Sequence, residues 1–423
     1  MYLLYTALLA VGFVISLPWF LWKGRATGKY RASFRERMGR LPVYLNVDRE
    51  RSIWIHAVSV GEVLAARTLV EPLRARFPKH RLFLSTTTVT GNAVARKNLR
   101  GLDGLFYAPF DFPGPVRQAL DTLRPDLLVI METELWPNLI HQAKRRGARV
   151  ALVNGRISPR SYPRYRRIRW FMRPLLAEVD LLLMQAEPHA ERALALGAPP
   201  ERVRASGNLK FDALFGPARP DRVSRLFEGL GGRPVWVAGS TMEGEEALVL
   251  RAFHGVRERF PDTALVIVPR HPERFAEVPA LVEAAGFRCV RRTQIEPGGW
   301  PPGAVLLLDT LGELTQVYPH ASVVFVGGSL VPTGGHNVLE PAVSGRPVVV
   351  GPHMENFQEI ADAFRGQGAL LQVASPEELG RVTADLLADP ARRQELGERA
   401  RGLVLASRGA VQATLDALAP LVP

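Results

Sequence analysis

Apolar residues along this chain gather into short uninterrupted runs, separated by longer stretches in which apolar and polar positions recur at helical spacing. The runs SIWIHAV (52–58), RLFLSTT (81–87), LLVIME (127–132), RVALVNG (149–155) and LLLMQ (181–185) predict parallel strands buried on both faces. Between them, EVLAARTLVEPLRARF (62–77) and WPNLIHQAKRRG (136–147) predict helices. The rhythm restarts after FGPARPDR (215–222), with strands predicted at PVWVAGS (234–240), ALVIVPR (264–270), AVLLLD (304–309), SVVFVGG (322–328) and PVVVG (347–351). Two consecutive doubly wound, Rossmann-like α/β domains are therefore expected, 23–215 and 216–423, with a hinge within 211–222. Such pairs normally meet their substrates in the cleft between the carboxyl ends of their strands. The pattern does not say where the last helix, about 405–420, packs.

The amino terminus departs from this rhythm. Residues 1–22 (MYLLYTALLAVGFVISLPWFLW) hold no charged side chain, about the length a helix needs to cross the hydrocarbon core. Lys23, Arg25, Lys29, Arg31, Arg35 and Arg37 follow at once, so a retained anchor helix is expected, with the body in the cytoplasm and Trp19 and Trp22 at the interface. A signal peptide would carry its positive charge before the apolar run and a small-residue cleavage site after it, and neither is evident. Pro18 can kink the helix, which leaves open one that lies in the membrane plane.

Composition narrows the class. The chain has 423 residues with 47% hydrophobic and 22% charged side chains, which excludes disorder, collagen or a coiled coil as the body. Its one thiol, Cys289, cannot make an internal disulfide, and C-x-x-C and H-E-x-x-H are both absent. The net charge of +13 calls for a polyanionic partner: nucleic acid, an anionic membrane or a phosphorylated substrate. Seven arginines between Arg156 and Arg173 form the densest basic patch, interleaved with Tyr162, Tyr165, Trp170 and Phe171. Anionic lipid or nucleic acid would explain it, as would a merely solvated helix, and the apolar amino terminus favours lipid. No D-x-D, P-loop or G-x-G-x-x-G pattern occurs, which weighs against a metal-requiring transferase, an NTPase and a nicotinamide dehydrogenase.

Several strand ends carry candidate chemistry, each with a plain structural alternative. Glu62 follows strand 52–58, where Ser59-x-x-Glu62 also has capping-box spacing, so a general base and a helix cap both stand. Glu132 and Glu134 flank the end of strand 127–132, directly before a Trp-Pro helix start, where a structural cap is the plain alternative to chemistry. Lys210 lies near the hinge and offers a cation to the cleft. In the second half, Pro269-Arg270-His271 and Leu311-Gly312-Glu313 lie at strand ends. Gly327-Gly328 and Gly334-Gly335 lead into a helix expected to start near His336 and Asn337, where free N–H groups can meet a phosphate. Glu340, one turn on, could accept from ribose hydroxyls.

Taken together, SVGE (59–62), METELWPN (131–138), GNLKFD (207–212), PRHPERF (269–275), DTLGEL (309–314), VGGSL (326–330) and GGHNVLEP (334–341) closely resemble the blocks of the 3-deoxy-D-manno-octulosonic acid (Kdo) transferases of lipopolysaccharide assembly. The resemblance spans nearly the whole chain, including KYRASFRERMG (29–39) after the apolar terminus. It implies a B-type, metal-independent inverting glycosyltransferase, anchored at the cytoplasmic face of the inner membrane, that moves Kdo from CMP-Kdo to a lipid A precursor. The family's general base falls on Glu62 and its transition-state-stabilising positions on Glu132 and Lys210. Its CMP-binding segments fall on Pro269 and Arg270, on Leu311, Gly312 and Glu313, and on Asn337, Val338, Leu339 and Glu340. Neither a resident cofactor nor nucleic acid is expected. A B-type transferase with another activated sugar, and a non-enzymatic lipid- or RNA-binding protein, are the alternatives. The number of Kdo units added and the role of Glu36 are not legible here.

Overall fold

A computed structural model describes residues 1–27, 33–215, 221, 223–228, 230–295 and 300–423, the side chains at 17–27, 43 and 215 excepted. Half of the expected hinge (216–220 and 222), Lys29 and Arg31, and the side chains of Trp19, Trp22, Lys23 and Arg25 therefore lie outside what it describes.

The chain divides into two compact units, Met1–Phe215 with Ser407–Pro423, and Gly216–Ala406. The first is built on a seven-stranded, wholly parallel sheet: β1 (Ser52–His56), β2 (Arg81–Thr86), β3 (Gly104–Tyr107), β4 (Pro125–Met131), β5 (Arg149–Gly155), β6 (Leu181–Met184) and β7 (Val203–Ala205), in the order β3-β2-β1-β4-β5-β6-β7. The apolar runs are its centre: β1 and β4 are buried along their whole length, because helices cover both faces. Winding reverses between β1 and β4, and a doubly wound sheet opens a ligand crevice at that point, beyond the strands' carboxyl ends.

The second unit repeats the scheme with β8 (Val235–Thr241), β9 (Ala264–Pro269), β10 (Cys289–Arg291), β11 (Val305–Leu307), β12 (Val323–Val326), β13 (Val348–Val350) and β14 (Leu371–Gln372), ordered β10-β11-β9-β8-β12-β13-β14 and again parallel. Its reversal falls between β8 and β12.

Two expectations are corrected. Residues 407–423 belong to the first unit and not to the second: Ala410, Leu415 and Leu418 of helix Ala410–Leu418 enter the same apolar cluster as Leu69, Leu73 and Leu209. Asp212 fixes that helix at its start, accepting from the N–H groups of Gly409 (2.9 Å) and Val411 (2.6 Å).

The amino-terminal helix, Tyr2–Thr27, does not stand free as a span, and among the described residues no helix is long and apolar enough to cross a membrane. One face lies on the first unit. Tyr2 stacks on His141 with centroids 3.9 Å apart and donates to Glu178 at 2.6 Å, and Phe13 meets Phe110 and Phe112 edge-on. The other face is bare and apolar: Leu3, Leu4, Leu8, Val11, Val14 and Ile15 are exposed, Leu3 at 88%.

Candidate functional site

In the first unit three acidic residues and one cation converge at the β1/β4 reversal. After β1 the chain turns through Ala57–Ser59 into helix Val60–Arg76. Ser59 Oγ accepts from the Glu62 N–H at 3.4 Å and donates to Glu62 Oε1 at 2.7 Å. Glu62 Oε2 accepts from the Val58 N–H at 2.7 Å, one residue earlier than a standard capping box would have it. The cap is thus real, yet it does not exhaust the residue. Glu62 is only 5% exposed, and burial pushes its carboxyl up to about 7 against those hydrogen bonds, with Glu134 and Glu132 adding to the rise.

Glu132 follows the last residue of β4 in the left-handed region, φ 54°, a conformation that costs a non-glycine residue of order 1–3 kcal/mol. Its N–H still donates to Val153 O, at 2.9 Å. Beyond Met131 the chain leaves the strand, and Glu134 and Glu132 both raise the Glu62 carboxyl. Glu134 Oε2 accepts from the Trp136 indole at 3.0 Å, and the Trp136 ring meets His56 edge-on at 4.5 Å.

Lys210 arrives on the short helix Leu209–Asp212, and its Nζ lies 2.9 Å from Glu132 Oε1. Asn208 caps that helix, while Asn154 Oδ1, at the end of β5, accepts from the Leu209 N–H at 3.0 Å. Glu62, Glu132 and Lys210 are therefore gathered in one unit. Asn154 and Asp212, which hold the helix bearing Lys210, were missed; polar residues beside a strand end and in a helical turn gave no separate signal.

In the second unit the glycine loop after β12 is held from below by Glu245. This fully buried carboxylate accepts from the N–H groups of Gly328 (2.6 Å), Ser329 (3.0 Å), Leu330 (2.9 Å) and Met242 (3.1 Å). A Cβ on Gly327 would stand 2.6 Å from Glu245 Oε2 and from Ser240 O, so glycine is required there. Pro269 ends β9, and Arg270 beyond it is exposed, its N–H donating to Thr241 O. His336 has a buried Nε2 that lacks a partner among the described residues. Burial, then the charges of Arg270 and His271, lower its imidazole to about 4, which places these three groups together.

The helix expected near His336 and Asn337 instead spans Leu339–Val343, a single turn. Asn337 Oδ1 takes the Leu339 N–H, and Asn337 Nδ2 reaches Glu340 Oε1 at 3.3 Å. Val338 and Leu339 have core side chains, so only their backbone can meet a ligand. Leu311 is exposed and Gly312 has φ 84°, while Glu313 is buried and accepts from Thr310 Oγ1 (2.7 Å) and Arg292 Nε (3.2 Å). Arg160, Arg164, Arg166, Arg167, Arg169 and Arg173 are exposed beside Ile168 and Trp170.

Residues 32–213 match the family model described as 3-deoxy-D-manno-octulosonic-acid transferase. A curated protein of Bordetella pertussis named 3-deoxy-D-manno-octulosonic acid transferase is 37% identical over 97% of both chains. This chain belongs to the Kdo transferase family. A Haemophilus influenzae Kdo transferase is 35% identical over 93% of this chain and 92% of its own. The solved structure of a putative UDP-N-acetylglucosamine 2-epimerase from Listeria monocytogenes matches 88% of this chain and 95% of its own, with TM-score 0.59 and 16% identity, a likeness of fold alone.

Proposed function

We propose that this member of the Kdo transferase family transfers Kdo from CMP-Kdo to a lipid A precursor in lipopolysaccharide biosynthesis, with inversion and no metal. The observation that carries the reading is the Glu62 carboxyl held near neutrality beside the Glu132–Lys210 pair. A general base works best when its affinity for protons sits near the working pH. Glu62 removes the proton of the acceptor hydroxyl as that oxygen attacks the anomeric carbon and CMP leaves from the opposite face.

Positive charge develops on the sugar and negative charge on the departing phosphate. Lys210 steadies the phosphate or the Kdo carboxylate, and Glu132 opposes the cationic ring or orients the acceptor. Arg270, with His271 and His336 beside it, meets the charge of the donor phosphate. Pro269, Leu311 to Glu313 and Asn337 to Glu340 frame the CMP moiety, largely through backbone groups. On this reading the first unit binds acceptor and the second donor.

The same reading sets the enzyme on the cytoplasmic face of the inner membrane. Its support is the bare apolar face of the Tyr2–Thr27 helix, joined to the arginine-rich patch through Tyr5, whose ring lies 6.1 Å from Phe171 next to exposed Trp170. An apolar face flanked by arginines suits a helix lying in the interface. Replacing Leu8 and Ile15 by glutamate should abolish flotation with vesicles containing anionic phospholipid; unchanged flotation rejects that placement.

The decisive assay follows labelled Kdo from CMP-Kdo to a tetraacylated lipid A precursor in detergent with EDTA present. Wild type should turn over, and folded Glu62→Gln should lose about 10²- to 10⁴-fold in kcat. No transfer by folded wild type would refute the reading.

A further inference from the structure

The carboxylate loop, residues 132–136, is tied at its far end to the amino-terminal helix. Helix Pro137–Arg145 begins directly after Trp136, and no side chain of its own N-cap residue closes it. Asp111 does so from another part of the sheet: its Oδ2 accepts from the Asn138 N–H at 3.1 Å and its Oδ1 from the Leu139 N–H at 2.7 Å. The Tyr5 hydroxyl lies against Asp111 and counters part of the rise that burial imposes on its carboxyl. Thr6 completes the link, since Asn138 Nδ2 donates to Thr6 Oγ1 at 3.0 Å and to Asp111 O at 2.5 Å.

This arrangement exceeds what docking an apolar helix requires. Tyr2 with Glu178 and His141, and Phe13 with Phe110 and Phe112, already seat the helix. Asp111 is buried, and a buried carboxylate is tolerated only when donors surround it; the N–H groups of Asn138 and Leu139 supply two, and the Tyr5 hydroxyl adds to them. Removing that donor loosens the cap of the helix whose first turn fixes Trp136. Trp136 in turn holds Glu134, which acts on Glu62. Small displacements of a positioned group cost up to about 10²-fold in rate.

We infer that Tyr5 and Thr6 are positioning residues: through Asp111 and Asn138 they set the carboxylate loop, so that this one contact of the amino-terminal helix, and not its seating elsewhere, governs turnover. This rests on the proposed transferase reading, and its test has one arm that does not. Full-length wild type, Tyr5→Phe, Thr6→Val and Tyr2→Phe are compared in detergent with CMP-Kdo and tetraacylated lipid A precursor. Tyr2→Phe removes a contact of the same helix on Glu178, away from the loop.

Tyr5→Phe should lower kcat about tenfold, and Thr6→Val about threefold, with both KM values within about twofold of wild type. Tyr2→Phe should leave kcat unchanged. Equal losses from Tyr2→Phe and Tyr5→Phe, a change confined to acceptor KM, or no change would overturn the inference. Hydrogen–deuterium exchange supplies the independent arm: amides of 132–140 should exchange faster in Tyr5→Phe than in wild type or Tyr2→Phe. Unaltered exchange there refutes the coupling. Faster exchange with an inactive wild type refutes the transferase reading alone.

Discussion

Lys210 Nζ lies 2.9 Å from Glu132 Oε1, so a helical turn near the end of the first α/β segment closes an ion pair on a residue 78 positions earlier. Both side chains are largely but not fully buried, and Glu132 holds a left-handed backbone to be there. Groups that act as a pair lose function together. Lys210→Met and Glu132→Gln should each lower kcat by about 10²-fold, with the double variant little worse than the poorer single. Losses that multiply would mean that the two act independently; steady-state kinetics on the four proteins decides.

Glu62 should cost the protein stability in return for its chemistry. Its carboxyl titrates near 4.5 when unfolded and about 7 in the fold, so between those values the folded state binds the proton more tightly. Wild-type stability therefore falls as pH rises through that window. Glutamine stays neutral and can still accept from Val58. Glu62→Gln should match wild type below about pH 4.5 and exceed it by roughly 2–3 kcal/mol at pH 8, read by urea titration at both pH values. A less stable variant at pH 8 would contradict the burial argument.

The same carboxyl predicts a rate profile. A base must be unprotonated, so kcat/KM should rise with pH to a plateau, with its midpoint near 7. Glu134 contributes to the elevation, hence Glu134→Gln should move the acid limb to lower pH. A limb that moves upward, or an activity flat across pH 5 to 9, would remove Glu62 from the role.

How much of this was legible in the sequence varies by element for physical reasons. β1 and β4 announce themselves because a strand buried on both faces must be apolar throughout. GLFY at β3, VRA at β7, CVR at β10 and LQ at β14 went unread, since short strands near or at the sheet edges stay partly exposed and need no apolar run. Glu62, Glu132 and Lys210 were visible as polar residues at strand ends or near the hinge. Their mutual distances were not, because β-sheet order, not sequence spacing, brings residue 210 to residue 132. The left-handed turn at Glu132 left no mark in residue type.

In the second unit Glu245 joins the ends of β8 and β12 by taking four backbone N–H groups. Truncation leaves those donors buried without an acceptor. Glu245→Ala should lose roughly 3–5 kcal/mol of stability, and the milder Glu245→Gln should raise the donor KM more than it lowers kcat. Thermal melts and donor titrations test both; a melt within a degree of wild type for the alanine variant would show that the loop holds itself.

The return of residues 407–423 to the first unit sets an order of assembly. The cluster around Leu69 and Leu73 lacks Ala410, Leu415 and Leu418, and Asp212 lacks its partners, until the last stretch of chain has been made. During synthesis the later-encoded Gly216–Ala406 unit can therefore close first. The unit bearing Glu62, Glu132 and Lys210 is finished only afterwards, so a nascent chain cut short between helix Leu209–Asp212 and helix Ala410–Leu418 carries every proposed catalytic side chain of that unit and still lacks the clamp on the helix that presents Lys210.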